Sequence, residues 1–163
     1  MSRLATIEIF REDLNFSAGH FTIFSATHRE KLHGHNYQVS AAITTKIEEN
    51  GLRVDYRHYH DKVATLCQRL NLAFLLPAKS RYLKIEEHEN YYHAHFDQEM
   101  IPFLKKDVII LPIENTTIEE LSDWFLQQLV QDQADLDKNG VQAITLRVSS
   151  NAGRSGSSTW SRL

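Results

Sequence analysis

The chain has 163 residues, of which 42% are hydrophobic and 10% aromatic; this is enough to build one core without disulfides, so a single domain over residues 1–163 is expected. The formal net charge of -3 provides no basic field of the kind that binding to nucleic acid or to an anionic membrane requires, so neither partner is expected. No apolar run approaches the roughly 20 residues of a membrane-spanning helix, and a lone cysteine, Cys67, cannot form an internal disulfide, so the sequence predicts a cytoplasmic protein.

Three strands are indicated by alternating apolar and polar residues. In chain order they lie at 14–18, at 37–43 and, near the end, at 144–148. The first two are expected to pair in an antiparallel manner. Further extended segments are 81–87 and 91–97, which flank a turn at 88–90, and 107–113.

Two helices are predicted between the second strand and the last one. Asp55 is placed to cap the first helix. The second helix begins after Thr116 or Thr117, because each is followed three residues later by a glutamate in a capping-box pattern. The apolar residues at helical spacing are Tyr59, Val63, Leu66 and Leu70 in the first helix, and Ile118, Leu121, Phe125 and Leu129 in the second. Because strands and helices are grouped rather than alternating, the predicted fold class is α+β.

Two segments lie outside this predicted core of strands and helices. Residues 79–111, between the two helices, contain the paired extended segments and are predicted to be a β-hairpin insertion. Residues 154–163 form a polar tail, which we expect to be a loose end or an oligomer contact.

The histidines are the most informative feature of the sequence. His33 and His35 lie two apart at the start of the second strand, so their side chains project from the same face, and Gly34 between them has no side chain to crowd a neighbouring strand. His20 lies at the end of the preceding strand, where hairpin-like pairing would bring it close to the other two. Three neutral imidazoles around one ion leave a fourth position for water or substrate, which is typical of catalytic zinc.

Two further H-x-H pairs are interpreted as having no metal function. His58 and His60 lie in the first turn of the first predicted helix, where residues two apart do not share a face. His93 and His95 would share a strand face, but no third ligand lies near them in the sequence. We therefore expect these two to be solvent-exposed or to contact another subunit.

Four ordered motifs carry a resemblance to a known family. They are Phe16-Ser17-Ala18-Gly19-His20, Leu32-His33-Gly34-His35-Asn36-Tyr37, Val54-Asp55-Tyr56 and Asn115-Thr116-Thr117-Ile118-Glu119-Glu120-Leu121. Together they resemble the markers of the 6-pyruvoyl/6-carboxytetrahydropterin synthase family. The resemblance implies a tunnelling fold, in which an antiparallel sheet carries two helices on one face and subunits assemble into trimers or hexamers. It also implies a Zn²⁺ ion and a substrate that is 7,8-dihydroneopterin triphosphate or a related dihydropterin.

The chain departs from the family pattern at three places. The usual catalytic cysteine, four residues before His33, is replaced by Arg29, and Cys67 does not substitute for it because it is expected to be buried in the first helix. The family's Asp-His pair aligns with Asn71 and Leu72, which cannot relay a proton. Residues 141–163 contain no Asp or Glu, so the glutamate that anchors the pterin ring in the family is also missing.

Glu30 is the candidate catalytic base. It stands three residues before His33, and the resulting E-x-x-H-G-H arrangement is similar to the branch of the family that cleaves the dihydroneopterin side chain to 6-hydroxymethyldihydropterin. In that branch the glutamate takes over as the base. The alternative is a solvated glutamate within the charged run 28–31.

The sequence therefore leads to a zinc-dependent pterin-family lyase or synthase, with His20, His33 and His35 as ligands and Glu30 as base. The main alternative is a catalytically degenerate paralogue that keeps the zinc and binds a pterin-like or other heterocyclic ligand. A third reading, an unrelated H-x-H metalloprotein such as a cupin, is disfavoured by the two amphipathic helices. A homo-oligomer is expected, and a neighbouring subunit could supply missing chemistry from residues 88–95.

Overall fold

The computed structural model describes residues 3–151 and 153–162. Within them the chain forms ten strands, three α-helices and one short 3-10 turn at Lys105–Asp107. The strands are β1 Arg3–Ile9, β2 Asn15–His20, β3 His33–Ile47, β4 Ala73–Pro77, β5 Leu83–His88, β6 Tyr91–Phe96, β7 Glu99–Leu104, β8 Val108–Leu111, β9 Val141–Ser150 and β10 Ser155–Ser161. The helices are α1 Tyr56–Leu70, α2 Ile118–Val130 and α3 Gln133–Lys138.

Seven of the strands form the main sheet, in the order β10-β9-β3-β2-β4-β8, with β1 also paired to β3. The long β3 pairs antiparallel with β2, β1 and β9, whereas the β2–β4 and β4–β8 pairings are parallel. Strands and helices remain grouped along the chain, so the predicted α+β class is confirmed. Strands β1 and β4 were not predicted from the sequence.

The pairing of β2 with β3 sets the geometry of the histidines. His20 lies opposite His33, and Gly19 lies opposite Gly34. A Cβ atom on Gly34 would lie 2.8 Å from the carbonyl oxygen of Ala18, so any larger residue would push the two strands apart. The absence of a side chain at Gly34 is therefore required for this register.

Helices α1 and α2 begin where their capping residues predict. The side chain of Asp55 accepts the N–H of Arg57, and that of Thr117 accepts the N–H of Glu120. Their apolar faces pack with β2, β3 and β9 into one core, whose members include Tyr59, Val63, Cys67 and Leu70 from α1 and Leu121, Phe125 and Leu129 from α2. The short α3, which was not predicted, adds Leu136 to the same core. Cys67 is buried, as expected.

The hairpin insertion predicted at 79–111 is present, but it has three strands rather than two. Strands β5, β6 and β7 form a separate three-stranded antiparallel sheet, and β8 then joins the main sheet beside β4. A second apolar cluster lies under this small sheet; its buried members are Phe21, Ile23, Leu76, Leu83, Ala94 and Phe96. The segment that follows β2 therefore packs against the insertion.

The prediction of a loose end at 154–163 was wrong for Ser155–Ser161, because these residues form β10 and pair along its full length with β9; residue 163 lies outside the described residues. Two contacts with α2 explain why this polar segment is held in a regular strand. A Cβ atom on Gly156 would lie 3.0 Å from the backbone nitrogen of Glu119, so the glycine allows close approach of the strand to the helix. The hydroxyls of Ser122 and Ser158 lie 2.9 Å apart. An oligomer contact at this edge strand remains a prediction.

No helix of the described residues combines the length and the apolar character that crossing a bilayer would need.

Candidate metal centre

Three imidazoles converge at the junction of β2 and β3, as the sequence predicts. The candidate ligand atoms of His20, His33 and His35 all lie within 4.8 Å of one another, and the two Nε2 atoms of His33 and His35 are 3.1 Å apart. His20 is 6% exposed, while the other two rings are partly buried. Within residues 3–151 and 153–162, no other group of three or more His, Cys, Asp or Glu side chains comes together in this way.

Hydrogen bonds on the outer side of the rings orient two of the three imidazoles. Nδ1–H of His20 donates to the carbonyl oxygen of Thr116 at 2.8 Å, and Nδ1–H of His33 donates to that of Lys31 at 2.7 Å. Each bond places the proton on Nδ1 and leaves the lone pair of Nε2 directed towards the centre of the cluster. Nε2 of His20 is buried and has no hydrogen-bond partner within the described residues. A metal ion would satisfy this nitrogen.

The third ring has a different outer neighbour. Nδ1 of His35 lies 3.2 Å from the side-chain amide nitrogen of Asn151. Turning the amide over presents its oxygen instead, and Nδ1–H of His35 can then donate to it. With the amide in that orientation, His35 would share with His20 and His33 an outer acceptor that supports coordination through Nε2.

The surroundings of the cluster favour the neutral form of His20 and of His35. Burial, reinforced by the nearby His33 and His35, holds the pKa of His20 below its ordinary value, although the bond to Thr116 acts in the opposite direction. Burial and the neighbouring His33 also lower the pKa of His35. Neutral imidazoles are the form that coordinates a metal, so this donor set fits Zn²⁺.

Glu30 lies beside the histidines. Its Oε1 accepts the backbone N–H of Thr22 at 2.9 Å, while its own N–H donates to the carbonyl of Thr22 at the same distance. Its Oε2 lies 3.7 Å from Nε2 of His33. Partial burial alone would raise the pKa of Glu30, but the bonds from Thr22 and the nearby His33 and His20 outweigh it and hold that pKa below its ordinary value. The carboxylate is therefore ionised at neutral pH.

A cavity of about 450 Å³ opens over the cluster, and it is lined by the three histidines and Glu30. Other lining residues include Thr117, Glu119, Asn151 and Arg154. The sequence reasoning missed their place in the site. The motif at 115–121 indicated that the start of α2 matters, but nothing in the sequence indicated that residues after β9 would reach the cavity.

The other predicted histidine pairs have partners of their own. Nε2 of His58 lies 2.6 Å from Oδ1 of Asp135, and Nε2 of His60 lies 2.8 Å from Oδ2 of Asp13. These two rings therefore engage different carboxylates, as expected of residues that do not share a helix face.

The strand pair His93 and His95 has ring centroids 6.4 Å apart. Nε2 of His95 lies 3.2 Å from Oε2 of Glu86. The roles expected for this pair, in solvent or at a subunit contact, remain predictions.

The positions of the missing family residues hold no acid or base. The Arg29 guanidinium donates to the carbonyl of Glu30 and to the carboxylate of Glu99. Leu72 is 82% exposed and has a φ of 63°. Strands β9 and β10 contain no carboxylate. Glu30, the residue after Arg29, is the carboxylate that lies beside His33.

Comparison with known proteins agrees with this site. A family model described as 6-pyruvoyl tetrahydropterin synthase matches residues 8–158. A protein of Methanocaldococcus jannaschii provisionally named 6-carboxy-5,6,7,8-tetrahydropterin synthase is 22% identical over 86% of this chain and 86% of its own. The crystal structure of 6-pyruvoyl tetrahydropterin synthase from Plasmodium vivax superimposes with a TM-score of 0.91 at 28% identity, covering 98% of this chain and 99% of that one.

Variants of the Plasmodium vivax enzyme have also been solved, in which a glutamate described as a catalytic residue is replaced by alanine or by cysteine; both superimpose on this chain with a TM-score of 0.92. The fold is thus the tunnelling fold of the pterin synthases. This chain belongs to the 6-pyruvoyl tetrahydropterin synthase family.

Proposed function

We propose that this protein is a zinc-dependent lyase that acts on the C6 side chain of a dihydropterin, 7,8-dihydroneopterin or its triphosphate. The observation that carries the proposal is the ionised carboxylate of Glu30 beside three converging imidazoles, with Oε2 of Glu30 3.7 Å from Nε2 of His33. A base and a set of metal ligands facing one cavity are the two elements that deprotonation of a substrate hydroxyl or carbon requires.

His20, His33 and His35 would hold the ion through their Nε2 atoms. When bound there, Zn²⁺ supplies a Lewis acid that polarises an oxygen of the substrate side chain and makes the adjacent O–H or C–H more acidic. The residues of this chain do the rest: the outer hydrogen bonds to Thr116 and Lys31 keep the rings oriented, and the cavity walls position the substrate.

Glu30 would act as the general base. In side-chain cleavage it removes the proton of the C2′ hydroxyl, the C1′–C2′ bond breaks as the C2′ carbonyl forms, and the electron pair passes to the C6–N5 imine of the ring. Return of the proton to C1′ gives 6-hydroxymethyl-7,8-dihydropterin. The other product is glycolaldehyde, or its phosphorylated ester when the triphosphate is the substrate.

The comparisons support a glutamate in this role. The Plasmodium vivax relative has a glutamate described as a catalytic residue, and this chain has Glu30 beside its histidine cluster, next to the Arg29 that stands at the position of the family's cysteine. The archaeal relatives carry the provisional name of a different reaction, 6-carboxytetrahydropterin synthesis. Product identity must therefore be measured and not taken from either group.

The test is to purify the protein, measure its zinc content and incubate it with 7,8-dihydroneopterin and, separately, with the triphosphate. We expect about one Zn²⁺ per chain and formation of 6-hydroxymethyl-7,8-dihydropterin, followed by chromatography with mass detection. Formation of a pyruvoyl product instead would keep the enzyme class and change the reaction. Full zinc occupancy without turnover of any dihydropterin would contradict the enzyme assignment.

A catalytically degenerate binding protein is the second candidate. The observation that favours it is the loss of three family groups together, with Arg29 and Leu72 in place of acid/base residues and no carboxylate in β9 or β10. This candidate predicts tight binding of a dihydropterin or another heterocycle to the zinc-loaded protein, without product. Calorimetric titration with neopterin and with purines separates the two candidates, since an enzyme releases product and a binder returns its ligand unchanged.

We also propose a homo-oligomer, either a trimer or a hexamer, in the cytoplasm. The edge strand β10 and the exposed residues of the 88–95 segment are surfaces through which a second subunit could contact the first. Light scattering coupled to gel filtration measures the subunit number, and a monomer would contradict this part of the proposal.

A further inference from the structure

Arg29, at the position of the family's catalytic cysteine, makes specific contacts on both sides. Its Nη1–H donates to the carbonyl oxygen of Glu30 at 2.8 Å. Its Nη2 donates to both carboxylate oxygens of Glu99 on β7, at 3.2 and 3.3 Å. One guanidinium therefore links the main chain of the candidate base to the three-stranded sheet of the insertion, 70 residues further along the chain.

The surroundings of Arg29 fix its position. Its side chain is 14% exposed, and the guanidinium carbon lies 5.3 Å from the ring centroid of Phe21 and 5.7 Å from that of Phe96. Both rings belong to the apolar cluster under the insertion. A largely buried planar cation held against two aromatic rings has little freedom to move. One of its nitrogens, Nη2, reaches both oxygens of Glu99, so Arg29 connects the Glu30 main chain to β7.

The main chain of Glu30 is held from two sides. Its N–H donates to the carbonyl oxygen of Thr22, and its carbonyl oxygen accepts from Arg29, while the backbones of Ile23 and Arg29 form an isolated bridge. The carboxylate of Glu30 is held by Thr22 N–H at only one of its two oxygens. A shift of the Glu30 main chain would therefore move Oε2 relative to His33.

We propose that Arg29 is a positioning residue, which holds the carboxylate of Glu30 at the metal cluster by anchoring the Glu30 main chain to the insertion sheet through Glu99. The inference rests on the proposed function, since it assigns Arg29 a role in the reaction through Glu30. It also assigns a role to the insertion: β7 supplies the fixed point for the base. In this chain the position that the family uses for a thiolate base has become the support for a carboxylate base.

The test compares Arg29→Met, which keeps the aliphatic length and removes the guanidinium, with the matched control Arg53→Met. Arg53 also forms an ion pair, with Glu48, but it lies by the far end of β3, roughly 45 Å of strand away from His33. We expect Arg29→Met to lower kcat by roughly 10- to 100-fold with KM changed less than about three-fold, since a misplaced base slows the step without weakening binding. The control should leave kcat unchanged.

A double substitution distinguishes positioning from general loss of stability. In the Glu30→Gln background, Arg29→Met should change the residual rate by less than about two-fold, because its effect passes through the carboxylate. An equal fall in kcat with and without Glu30 would overturn the proposal. If Arg29→Met fails to fold, Glu99→Gln serves instead, because it retains the side-chain shape. It should lower kcat by roughly two- to five-fold and leave KM nearly unchanged.

A second readout does not depend on turnover. Hydrogen exchange of the peptide 21–32, followed by mass spectrometry on zinc-loaded protein, should be faster by at least about ten-fold in Arg29→Met than in Arg53→Met, because the Thr22 and Glu30 amides lose their anchor. Unchanged protection of this peptide would overturn the positioning role. If no dihydropterin is turned over by the unmodified protein but this exchange still rises, the proposed function fails while the anchoring of Glu30 by Arg29 is retained.

Discussion

Replacing Glu30 with glutamine removes the proposed base while keeping the shape of the side chain. In the folded chain Oε1 of Glu30 accepts the N–H of Thr22 at 2.9 Å, and a glutamine amide still offers an oxygen for that bond. The second oxygen, 3.7 Å from Nε2 of His33, becomes an amide nitrogen that cannot take up a proton. The substitution therefore separates the position of residue 30 from its basicity.

The magnitude follows from the role. General-base catalysis typically contributes 10²- to 10⁴-fold, so kcat of Glu30→Gln should fall by a factor in this range, or about 3–5 kcal/mol in the activation barrier. Zinc content should stay at about one ion per chain, because Glu30 is outside the three-histidine ligand set. The assay combines initial rates of 7,8-dihydroneopterin conversion with metal analysis of the same samples.

The matched control is Glu87→Gln, which removes an exposed carboxylate that pairs with Lys105 in the insertion. It should leave both kcat and zinc content unchanged. A zinc-loaded Glu30→Gln protein with kcat within about two-fold of the unmodified protein would refute the assignment of Glu30 as base and would place this residue among solvated loop glutamates.

Three further predictions concern the histidine cluster, a partly buried ion network and the core. His20→Ala should reduce zinc content from about one ion per chain to nearly none, measured by metal analysis against His93→Ala, because a two-imidazole site retains little affinity. Asp135→Asn should lower the free energy of unfolding at pH 7 by about 1–3 kcal/mol in urea titrations, because Lys62 and its neighbours lose a charged acceptor. Partial burial acts to raise the pKa of Asp135, but bonds from Lys62, Tyr59 and His58 outweigh it and lower that pKa. The stabilisation by Asp135 is therefore present above the ordinary carboxyl pKa and is lost as the pH falls through the lowered pKa of the folded protein. The difference in unfolding free energy between the unmodified protein and Asp135→Asn should narrow from pH 5 to pH 2. Leu146→Ala, at a fully buried position of β9, should cost about 2–5 kcal/mol in the same titration, and a loss under 1 kcal/mol would contradict the packing of the sheet against the helices.

Much of the site could be predicted because it depends on local geometry. Residues two apart in a strand share a face, so His33-Gly34-His35 predicted two imidazoles on one side of β3 before any coordinates were known. The requirement for Gly34 followed from the same pattern. The capping residues Asp55 and Thr117 likewise marked the starts of α1 and α2, because a cap is a contact within one turn of helix.

Contacts between distant segments could not be predicted in this way. The segment at 155–161 is polar and has a glycine, so its own residues do not favour a strand; pairing with β9 and close approach of Gly156 to α2 impose that state. Similarly, β4 is a short apolar run that periodicity cannot assign, and its parallel partners β2 and β8 are far away in sequence.

The sequence by itself determined the histidine cluster and the family of this protein, because three histidines on adjoining strands and four ordered motifs are properties of local spacing. Only the tertiary structure decided the surroundings that give these residues their chemistry. The acceptor for His20 comes from Thr116, the cavity wall includes Arg154, and Arg29 finds Glu99 on the insertion. Such partners lie tens of residues apart in the chain and meet only when the sheet has formed, since packing and not spacing brings them together.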